Sequence, residues 1–350
     1  MPTASAWQLP ATAQRASLRD EAPKAAILAI SSHLPEKVLD NAQLEAMVDT
    51  SDTWILERTG IRERRQVGAG ETVSMMGAEA ARAALAQAGN PVPDLIICAT
   101  CTPDTLLPSA ACLIQRRLGL PAGIAAFDLN AACSGYVYGL CVAGALISSG
   151  TCKTILLVSS EALTTLVDYG DRATCVLFGD GAAATVLGAS SSGGIVATNW
   201  GADGAHGELI YYGPRPGASD GDRHRGGADD ALRMAGKGTF RLAVERLCEV
   251  SEKLCEEAGW TAADIDHFVP HQANQRIIEA SAKRLGVPLE KVVVNVAERG
   301  NTSAASIPIA LAEADATGRF RPGDRIVAAA FGAGATWGGV ALQWTAERQG

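Results

Sequence analysis

The stretch RRLGLP at positions 116–121 returns as KRLGVP at positions 283–288, 167 positions further along the chain (283 − 116). A second pair follows in the same order: FGDGAAATVLG at 178–188 and FGAGATWGGVALQ at 331–343. Self-similarity that keeps its order over a long interval is the mark of an internal duplication. The chain is therefore predicted to fold as two halves of similar architecture.

Each half alternates short apolar runs with longer helical stretches. The predicted strands are AAILAI (25–30), DLIICAT (94–100), AAFDLN (125–130), TILLVSS (154–160) and DHFVPH (266–271). The predicted helices include 71–89 and 239–259, each of which ends at a glycine. Such alternation is typical of an α/β fold in which helices cover a parallel sheet. We predict an N-terminal half over 25–190 and a C-terminal half over 191–350, preceded by a flexible extension over 1–24, with a transit peptide as the alternative for the extension.

The duplication predicts where three scattered polar residues lie. Position 133 shifted by 167 gives position 300, so Cys133 and Asn301 are expected at equivalent strand-to-helix corners. His271 follows a predicted strand of the second half. Because ligand sites of doubly wound sheets lie beyond the carboxyl ends of strands, we expect the three residues to meet between the halves.

The composition excludes several classes of protein. The 350 residues are 47% hydrophobic and 19% charged, which is typical of a globular enzyme and not of a disordered chain, a collagen or a coiled coil. A net charge of −8 argues against a nucleic-acid partner, which needs clustered Lys and Arg. No apolar run approaches the roughly 20 residues of a membrane span.

The cysteine pattern indicates a reducing compartment. The nine cysteines are an odd number, and no secretory signal precedes them, so we predict a cytoplasmic protein. Cys98 and Cys101 form a CxxC without the second pair that a zinc site needs, and no metal site is predicted.

Cys133 is the candidate nucleophile. It lies at the predicted start of a helix, AFDLNAACSGYVYGLCVAGALISSG (126–150), where the helix dipole would favour the thiolate. The flanking alanine, serine and glycine residues leave room for a substrate. The alternative is a buried, inert thiol.

His271, Asn301 and the turn FGAG (331–334) complete the candidate set. A histidine at a strand end can be merely structural, and an asparagine at this position can be a helix cap. The glycine turn offers backbone N–H groups that suit an oxyanion. A dinucleotide fingerprint, GxGxxG after the first strand, is absent.

Four motifs in this order, ACSG around Cys133, HQAN (271–274), GNTSAAS (300–306) and FGAGATWG (331–338), resemble the β-ketoacyl-acyl-carrier-protein synthase III family, the initiating condensing enzymes of type II fatty acid synthesis. TSDTWILERTGIRER (50–64) and FGDGAAA (178–184) extend the resemblance from about residue 25 to 344. It implies the thiolase fold, a duplicated αβαβα sandwich, and a homodimer. Thiolases carry a second cysteine in the last glycine turn and elongating synthases a second histidine, whereas this chain has FGAG and Asn301.

The resemblance implies a mechanism without metal or redox cofactor. Cys133 would take the acyl group from an acyl-CoA, and His271 and Asn301 would stabilise the anion formed when malonyl-acyl-carrier protein loses CO₂. Backbone N–H groups of Cys133 and of the turn Gly332, Ala333 and Gly334 would hold the oxyanion.

The resemblance also implies the binding residues. Trp54 and Arg172 would sandwich the adenine of CoA, with Arg58 nearby, while Phe240 and Asn274 would line the pantetheine tunnel. The carrier-protein dock would comprise Arg241, Arg276, Lys283 and Arg284. Independently of the family, positions 276, 283 and 284 fall on one helix face, which makes a basic patch suited to an acidic partner. An ordinary solvated surface is the alternative.

Two positions depart from the family pattern. Ala333 stands where a glycine is usual, so its backbone donor depends on a φ that alanine can adopt. Leu107 stands where acetyl-specific members have an aromatic residue at the partner's primer pocket, which favours longer or branched primers. The main function hypothesis is the initiating synthase. The alternatives are a pathway-specific relative that primes a polyketide or other secondary metabolite, and a non-catalytic partner subunit, which the intact set Cys133, His271 and Asn301 argues against.

Overall fold

The computed structural model describes residues 23–213 and 230–346. All but the last two residues of the predicted extension (1–24) lie outside this description. The first strand begins at Lys24, one position before the predicted start.

The elements alternate as expected of an α/β chain. The strands are β1 (Lys24–His33), β2 (Val38–Asp40), β3 (Glu63–Arg65), β4 (Leu95–Ala99), β5 (Ala125–Leu129), β6 (Thr154–Ala162), β7 (Asp180–Ser190), β8 (Gly194–Ala202), β9 (Ile210–Tyr212), β10 (Leu232–Met234), β11 (His267–Pro270), β12 (Arg325–Gly332) and β13 (Thr336–Gln343). The α-helices are α1 (Asn41–Glu45), α2 (Asp52–Thr59), α3 (Val73–Gln87), α4 (Ala110–Leu118), α5 (Gly135–Ser148), α6 (Gly236–Ala258), α7 (Gln275–Leu285), α8 (Val296–Arg299) and α9 (Ser306–Ala316).

The two large sheets share one strand order. The first runs β1-β7-β6-β4-β5, with β4 parallel to both β5 and β6 and the other pairs antiparallel. The second runs β8-β13-β12-β11, and Val292 bridges Phe268 of β11 in parallel, in the place that β5 takes beside β4. The same order and the same directions confirm the duplication.

The helices that are apolar on all sides identify the central layer of the fold. α5 and α9 are buried over most of their surface, because they lie between the two sheets and pack against both. α3 and α4 cover the outer face of the first sheet, and α6 and α7 cover that of the second. The predicted αβαβα sandwich, the thiolase fold, is confirmed.

The repeated RLG segments are equivalent helix ends. Gly119 and Gly286 terminate α4 and α7, both in the left-handed region at φ +67° and +70°. Glycine adopts this conformation without the cost that a Cβ imposes, so each half stops its second outer helix in the same way.

The strand-to-helix corners are equivalent as well, but at a different offset. Ala132 and Ser303 both have positive φ, +46° and +51°, and each N–H is accepted by the side chain of an asparagine two residues earlier, Asn130 and Asn301. Asn301 is therefore the counterpart of Asn130, and the offset of 167 fails here by four positions, the length of α8. The second half inserts this helix just before the corner.

Within the described parts of the chain, no helix is both long and apolar enough to span a membrane.

Candidate active site

The predicted catalytic side chains all line one cavity of about 1120 Å³. Cys133 reaches it from the 3-10 turn Ala132–Ser134 that joins β5 to α5, and His271 from the end of β11. Asn301 reaches it from the loop before α9. The structure thus brings together three residues that lie far apart in the sequence, at the carboxyl ends of the strands.

The Cys133 side chain is half-buried and lies against the last glycine turn. Gly332 permits this contact, because a Cβ there would lie 2.7 Å from the backbone nitrogen of Cys133. The Ala333 N–H and the Ser303 hydroxyl both favour the thiolate of Cys133 and so act to lower its pKa. Burial nevertheless raises the pKa of Cys133 to about 12, and the nearby carboxyl of Glu161 acts in the same direction. The expectation that the helix start makes this thiol acidic is wrong, since desolvation outweighs the dipole and α5 begins only at Gly135.

Alanine is tolerated in the last turn. Ala333 is not among the described residues with positive φ, so its Cβ imposes no strain, and its N–H acts to lower the pKa of the Cys133 thiol. The Thr336 hydroxyl donates to the carbonyls of Ala131 (2.9 Å) and Ala333 (3.0 Å). That side chain ties the turn to the nucleophile's loop.

His271 presents a neutral imidazole. Its backbone N–H donates to Ala329 of β12, which fixes the residue at the strand end. Burial lowers the pKa of His271 to about 3, so the ring is uncharged at neutral pH and keeps one N–H. Its Nδ1 is buried and has no hydrogen-bond partner among the described residues.

Asn301 is held by backbone on both sides. Its N–H donates to Leu177 (2.8 Å), and its carbonyl accepts from Gly179 (3.0 Å). Its Oδ1 accepts the N–H of Ser303 (2.9 Å), which leaves Nδ2 as the end of the amide that can donate to a ligand. The side chain closes a turn before the 3-10 segment and does not cap α9, whose N-cap residue is Ala305.

The mouth of the cavity carries the predicted CoA-binding residues. The Arg172 guanidinium lies 5.1 Å from the centroid of the Trp54 ring, and that of Arg58 lies 6.0 Å away. An aromatic base therefore does not fit between Trp54 and Arg172 until Arg172 leaves its contact with the Asp49 carbonyl (2.9 Å).

Phe240 and Asn274 also line the cavity, as expected of tunnel residues. Asn274 is the N-cap of α7: its Oδ1 accepts the N–H of Arg276, and its Nδ2 donates to the carbonyl of Arg58. The guanidinium of Arg276 stacks on Phe240 at 5.6 Å from the ring centroid. Arg276 thus lies on the cavity wall, and its predicted part in the carrier-protein dock stays a prediction.

The remaining predicted residues lie outside the cavity wall. Arg241, Lys283 and Arg284 are exposed on α6 and α7. Leu107 is 83% exposed and does not line this chain's own cavity.

Comparisons with known proteins agree with these motifs. The family model described as 3-oxoacyl-[acyl-carrier-protein] synthase III matches residues 127–204, and its C-terminal model matches 255–344. A β-ketoacyl-[acyl-carrier-protein] synthase III of Brucella suis is 46% identical over 92% of this chain and 99% of the relative. That of Sinorhizobium medicae is 48% identical over 89% and 96%. The chain belongs to the β-ketoacyl-acyl-carrier-protein synthase III family.

Solved structures of the synthase III family show the same architecture. The Aquifex aeolicus enzyme superposes with a TM-score of 0.85 at 44% identity, covering 91% of this chain and all of the other. The priming β-ketosynthase of the R1128 polyketide pathway has a TM-score of 0.86 but 35% identity, over 97% and 99%. The two TM-scores are nearly equal and do not distinguish the two functions. The identity is higher to the Aquifex aeolicus synthase III than to the priming ketosynthase, which favours the synthase III of fatty acid biosynthesis.

Four residues of the site in this synthase III chain are not predicted from its sequence. Lys237 lines the cavity mouth, but the predicted helix begins two residues after it. Cys101 and Ser303 line the cavity near Cys133, and Glu161 lies behind them, fully buried. An acidic residue at the end of an apolar strand was the available signal for Glu161.

Proposed function

We propose that this protein condenses an acyl-CoA primer with malonyl-acyl-carrier protein to give 3-ketoacyl-acyl-carrier protein, the initiating step of type II fatty acid biosynthesis. The proposal rests on one observation: the side chains of Cys133, His271 and Asn301 line the same cavity. A nucleophile faced by two neutral N–H donors suits acyl transfer followed by stabilisation of an enolate.

The first half-reaction transfers the acyl group to Cys133. The sulfur attacks the thioester carbonyl, and the backbone N–H groups of Cys133 and Ala333 face the oxyanion that forms. CoA leaves with the proton that the thiol gave up. Because the acyl-enzyme persists while CoA departs, the kinetics are ping-pong.

The second half-reaction uses the two neutral donors. Loss of CO₂ from the malonyl thioester leaves negative charge on its carbonyl oxygen, and N–H groups of His271 and Asn301 stabilise it. Each donor is worth about 3 kcal/mol in such a site. The resulting carbanion attacks the acyl group on Cys133 and releases the 3-ketoacyl product.

The charge of the cavity supports an anionic substrate. Its lining includes Arg58, Arg172, Lys237 and Arg276, and no aspartate or glutamate among the described residues. In a chain of net charge −8 this concentration of cations favours the phosphates of CoA and of the carrier's phosphopantetheine. Trp54 would stack the adenine once Arg172 moves aside.

The proposed reaction is redox-neutral and so requires no redox cofactor, and in it N–H donors stabilise the developing negative charge without a metal. A cytoplasmic location is part of the proposal. All nine cysteines lie in the described residues and none forms a disulfide, as is usual in a reducing compartment.

A primer screen tests the function. The enzyme is incubated with malonyl-acyl-carrier protein and a series of straight and branched acyl-CoA esters, and the carrier-bound products are identified by mass spectrometry. A 3-ketoacyl product two carbons longer than the primer supports the proposal. Its absence with every primer contradicts it, and exclusive use of unusual primers favours the pathway-specific alternative.

Carrier docking is expected on the exposed cations of α7. Replacing Lys283 and Arg284 by glutamate should raise KM for malonyl-acyl-carrier protein roughly tenfold and leave acylation by acyl-CoA unchanged. The wild-type advantage should shrink with added salt. Arg82→Glu on α3 is the matched control, and Arg276 is avoided because it lines the cavity. Equal loss in both half-reactions would contradict a docking role.

A homodimer is part of the proposal, and strand β5 supports it. Among the residues that the structure describes, β5 pairs only with β4 and forms an edge of the first sheet, and its Phe127 remains 39% exposed. Such an edge invites pairing with a second copy. The exposed Leu106 and Leu107 belong to the loop before α4, so Leu107 would reach the primer pocket of the partner.

Leu107→Phe should shift primer choice toward acetyl-CoA, because a larger ring fills the volume that a longer acyl chain needs. We expect the ratio of kcat/KM for acetyl-CoA to that for an eight-carbon primer to rise by at least about tenfold. Leu106→Phe, at the neighbouring exposed leucine, is the control. A ratio that both variants leave unchanged would place Leu107 away from the pocket.

A further inference from the structure

Arg64 is a fully buried cation in the middle of the short strand β3, and the proposed mechanism gives it no part. Its guanidinium donates to the carbonyls of Leu39 (3.1 Å) and Val176 (2.7 Å) and to Oδ1 of Asn41 (2.9 Å). Within the described parts of the chain no carboxylate lies within ion-pair distance of it. A buried charge that only neutral acceptors hold is costly, and the segments that these bonds fasten give a reason for it.

The bond to Val176 fastens the segment that holds Asn301. Leu177 accepts the Asn301 N–H at 2.8 Å, and Gly179 donates to the Asn301 carbonyl at 3.0 Å. These two bonds form an isolated parallel bridge outside the large sheets. The carbonyl that Arg64 binds therefore belongs to the residue directly before this bridge.

The stem of Arg64 packs beside the same bridge. A Cβ on Gly179 would lie 3.0 Å from the Arg64 Cβ, and a Cβ on Gly300 would lie 3.1 Å from it. A Cβ on Gly179 would also overlap the carbonyl of Arg299. Because both positions lack a side chain, the two segments that meet at the bridge can approach Arg64 and each other. The place of Asn301 thus depends on contacts of Arg64 with both segments.

The remaining bonds anchor Arg64 on the side of the chain that carries Trp54. Asn41 is buried, and its Nδ2 donates to Asp52 Oδ1 (2.8 Å) and to the carbonyl of Ile61 (2.9 Å). Asp52 is the first residue of α2, the helix of Trp54. Arg64 therefore connects this hydrogen-bonded group with the segment over 176–179.

Asn301 needs such support because its amide must reach one oxygen together with the His271 ring. Donors stabilise a developing charge only from the correct positions, and a displacement of about 1 Å can cost roughly 10²-fold in rate. Asn301 Oδ1 accepts the Ser303 N–H, so the direction of Nδ2 follows the backbone of the turn. Anything that shifts this backbone shifts the donor.

We propose that Arg64 is a positioning residue for decarboxylation: it fixes the segment over 176–179 and, through the bridge to that segment, sets the place of the Asn301 amide. Arg64 is not among the residues that line the cavity, so it acts through Asn301 and not on the substrate. The inference rests on the proposed function and deepens its second half-reaction. Acylation does not use the Asn301 amide and should depend little on Arg64.

Arg64→Lys tests this assignment. Lysine keeps the charge and most of the stem, but an ammonium group does not reproduce the planar fork with which the guanidinium reaches three acceptors. Arg65→Lys is the matched control on the same strand, because the Arg65 guanidinium donates to the carbonyl of Pro35 (3.0 Å). Decarboxylation is measured as labelled CO₂ released from malonyl-acyl-carrier protein by enzyme already acylated to completion. Acylation is measured as the labelled burst at saturating acyl-CoA.

Arg64→Lys should lower kcat for decarboxylation about tenfold or more, while KM for malonyl-acyl-carrier protein and the acylation burst change by less than about twofold. The sharpest comparison uses Asn301→Ala as the background. With the amide removed Arg64 has no donor to position, so Arg64→Lys should slow decarboxylation no further. A general loosening of the site would slow both backgrounds by the same factor. Arg65→Lys should match the wild type in both half-reactions.

Decarboxylation at the wild-type rate in folded Arg64→Lys would overturn the assignment. Equal loss of both half-reactions would also overturn it, as would the same factor of loss in the Asn301→Ala background. Should Arg64→Lys not fold, Asn41→Ala decides, since it removes one anchor and leaves Arg64 in place. It should slow decarboxylation to a smaller extent and only where Asn301 is present, and an unchanged rate would contradict the proposal. A wild-type enzyme that releases no CO₂ from malonyl-acyl-carrier protein would instead refute the proposed function, so the two failures are distinguishable.

Discussion

Asn301→Ala should release CO₂ from malonyl-acyl-carrier protein about 10²–10³ times more slowly than the wild type, because one of two donors to the developing enolate oxygen is lost. Acylation should survive better, since it does not use the Asn301 amide N–H. Labelled CO₂ release and labelled burst acylation are measured on the same folded protein.

A second variant sharpens this test. The Asn301 Oδ1 also accepts the Ser303 N–H, so alanine removes the donor and at the same time disturbs the turn at Ser303. Asn301→Asp keeps the acceptor oxygen and replaces only the donor end of the amide. Both variants should lose decarboxylation, and decarboxylation at the wild-type rate in either would reduce Asn301 to a structural residue of the turn.

His271→Ala should lose decarboxylation to a similar extent. Because burial lowers the pKa of His271 to about 3, the imidazole carries no charge to lose between about pH 5 and 8. Decarboxylation by the acylated enzyme should therefore show no inflection from His271 in that range. An inflection that disappears in His271→Ala would show that the ring acts as an imidazolium.

Cys133→Ala should abolish acylation, the largest effect expected of any single substitution in this protein, because it removes the sulfur to which the acyl group bonds. Incubation with acetyl-CoA or butyryl-CoA followed by peptide mapping should place the acyl group on residue 133. Cys101→Ala is the matched control, since that thiol lines the same cavity but lies behind Ser303. Stable acylation of Cys133→Ala at another cysteine would contradict the assignment.

The repeated segments were sufficient to predict the architecture. The two RLG helix ends and the two glycine turns recur because each half must end equivalent helices and strands in the same way, and such local rules are visible in the sequence. That the three catalytic candidates lie close together followed from their positions at strand ends. The correspondence of Asn301 with Asn130 did not follow from the sequence. The second half contains the extra helix α8, and the repeated segments give no sign of this insertion.

The chemistry of Cys133 depended on tertiary burial. A helix start predicts an acidic thiol, but the walls that enclose the sulfur come from three separate segments, among them the turn at Gly332 and the loop at Ser303. Desolvation by these walls reverses the direction of the pKa shift. The same enclosure makes the imidazole neutral and the buried carboxyl more basic.

The sequence by itself determined the fold class and the duplication, and it singled out Cys133, His271 and Asn301 as candidates, because these depend on periodicity, helix ends and motifs that are local in the chain. Only the tertiary structure decided the protonation states of the site, the contact of Arg172 with Trp54, the place of Arg276 on the cavity wall and the burial of the Glu161 carboxyl. These properties arise where segments distant in sequence exclude water from one another, and the cost of removing a charge from water depends on that enclosure.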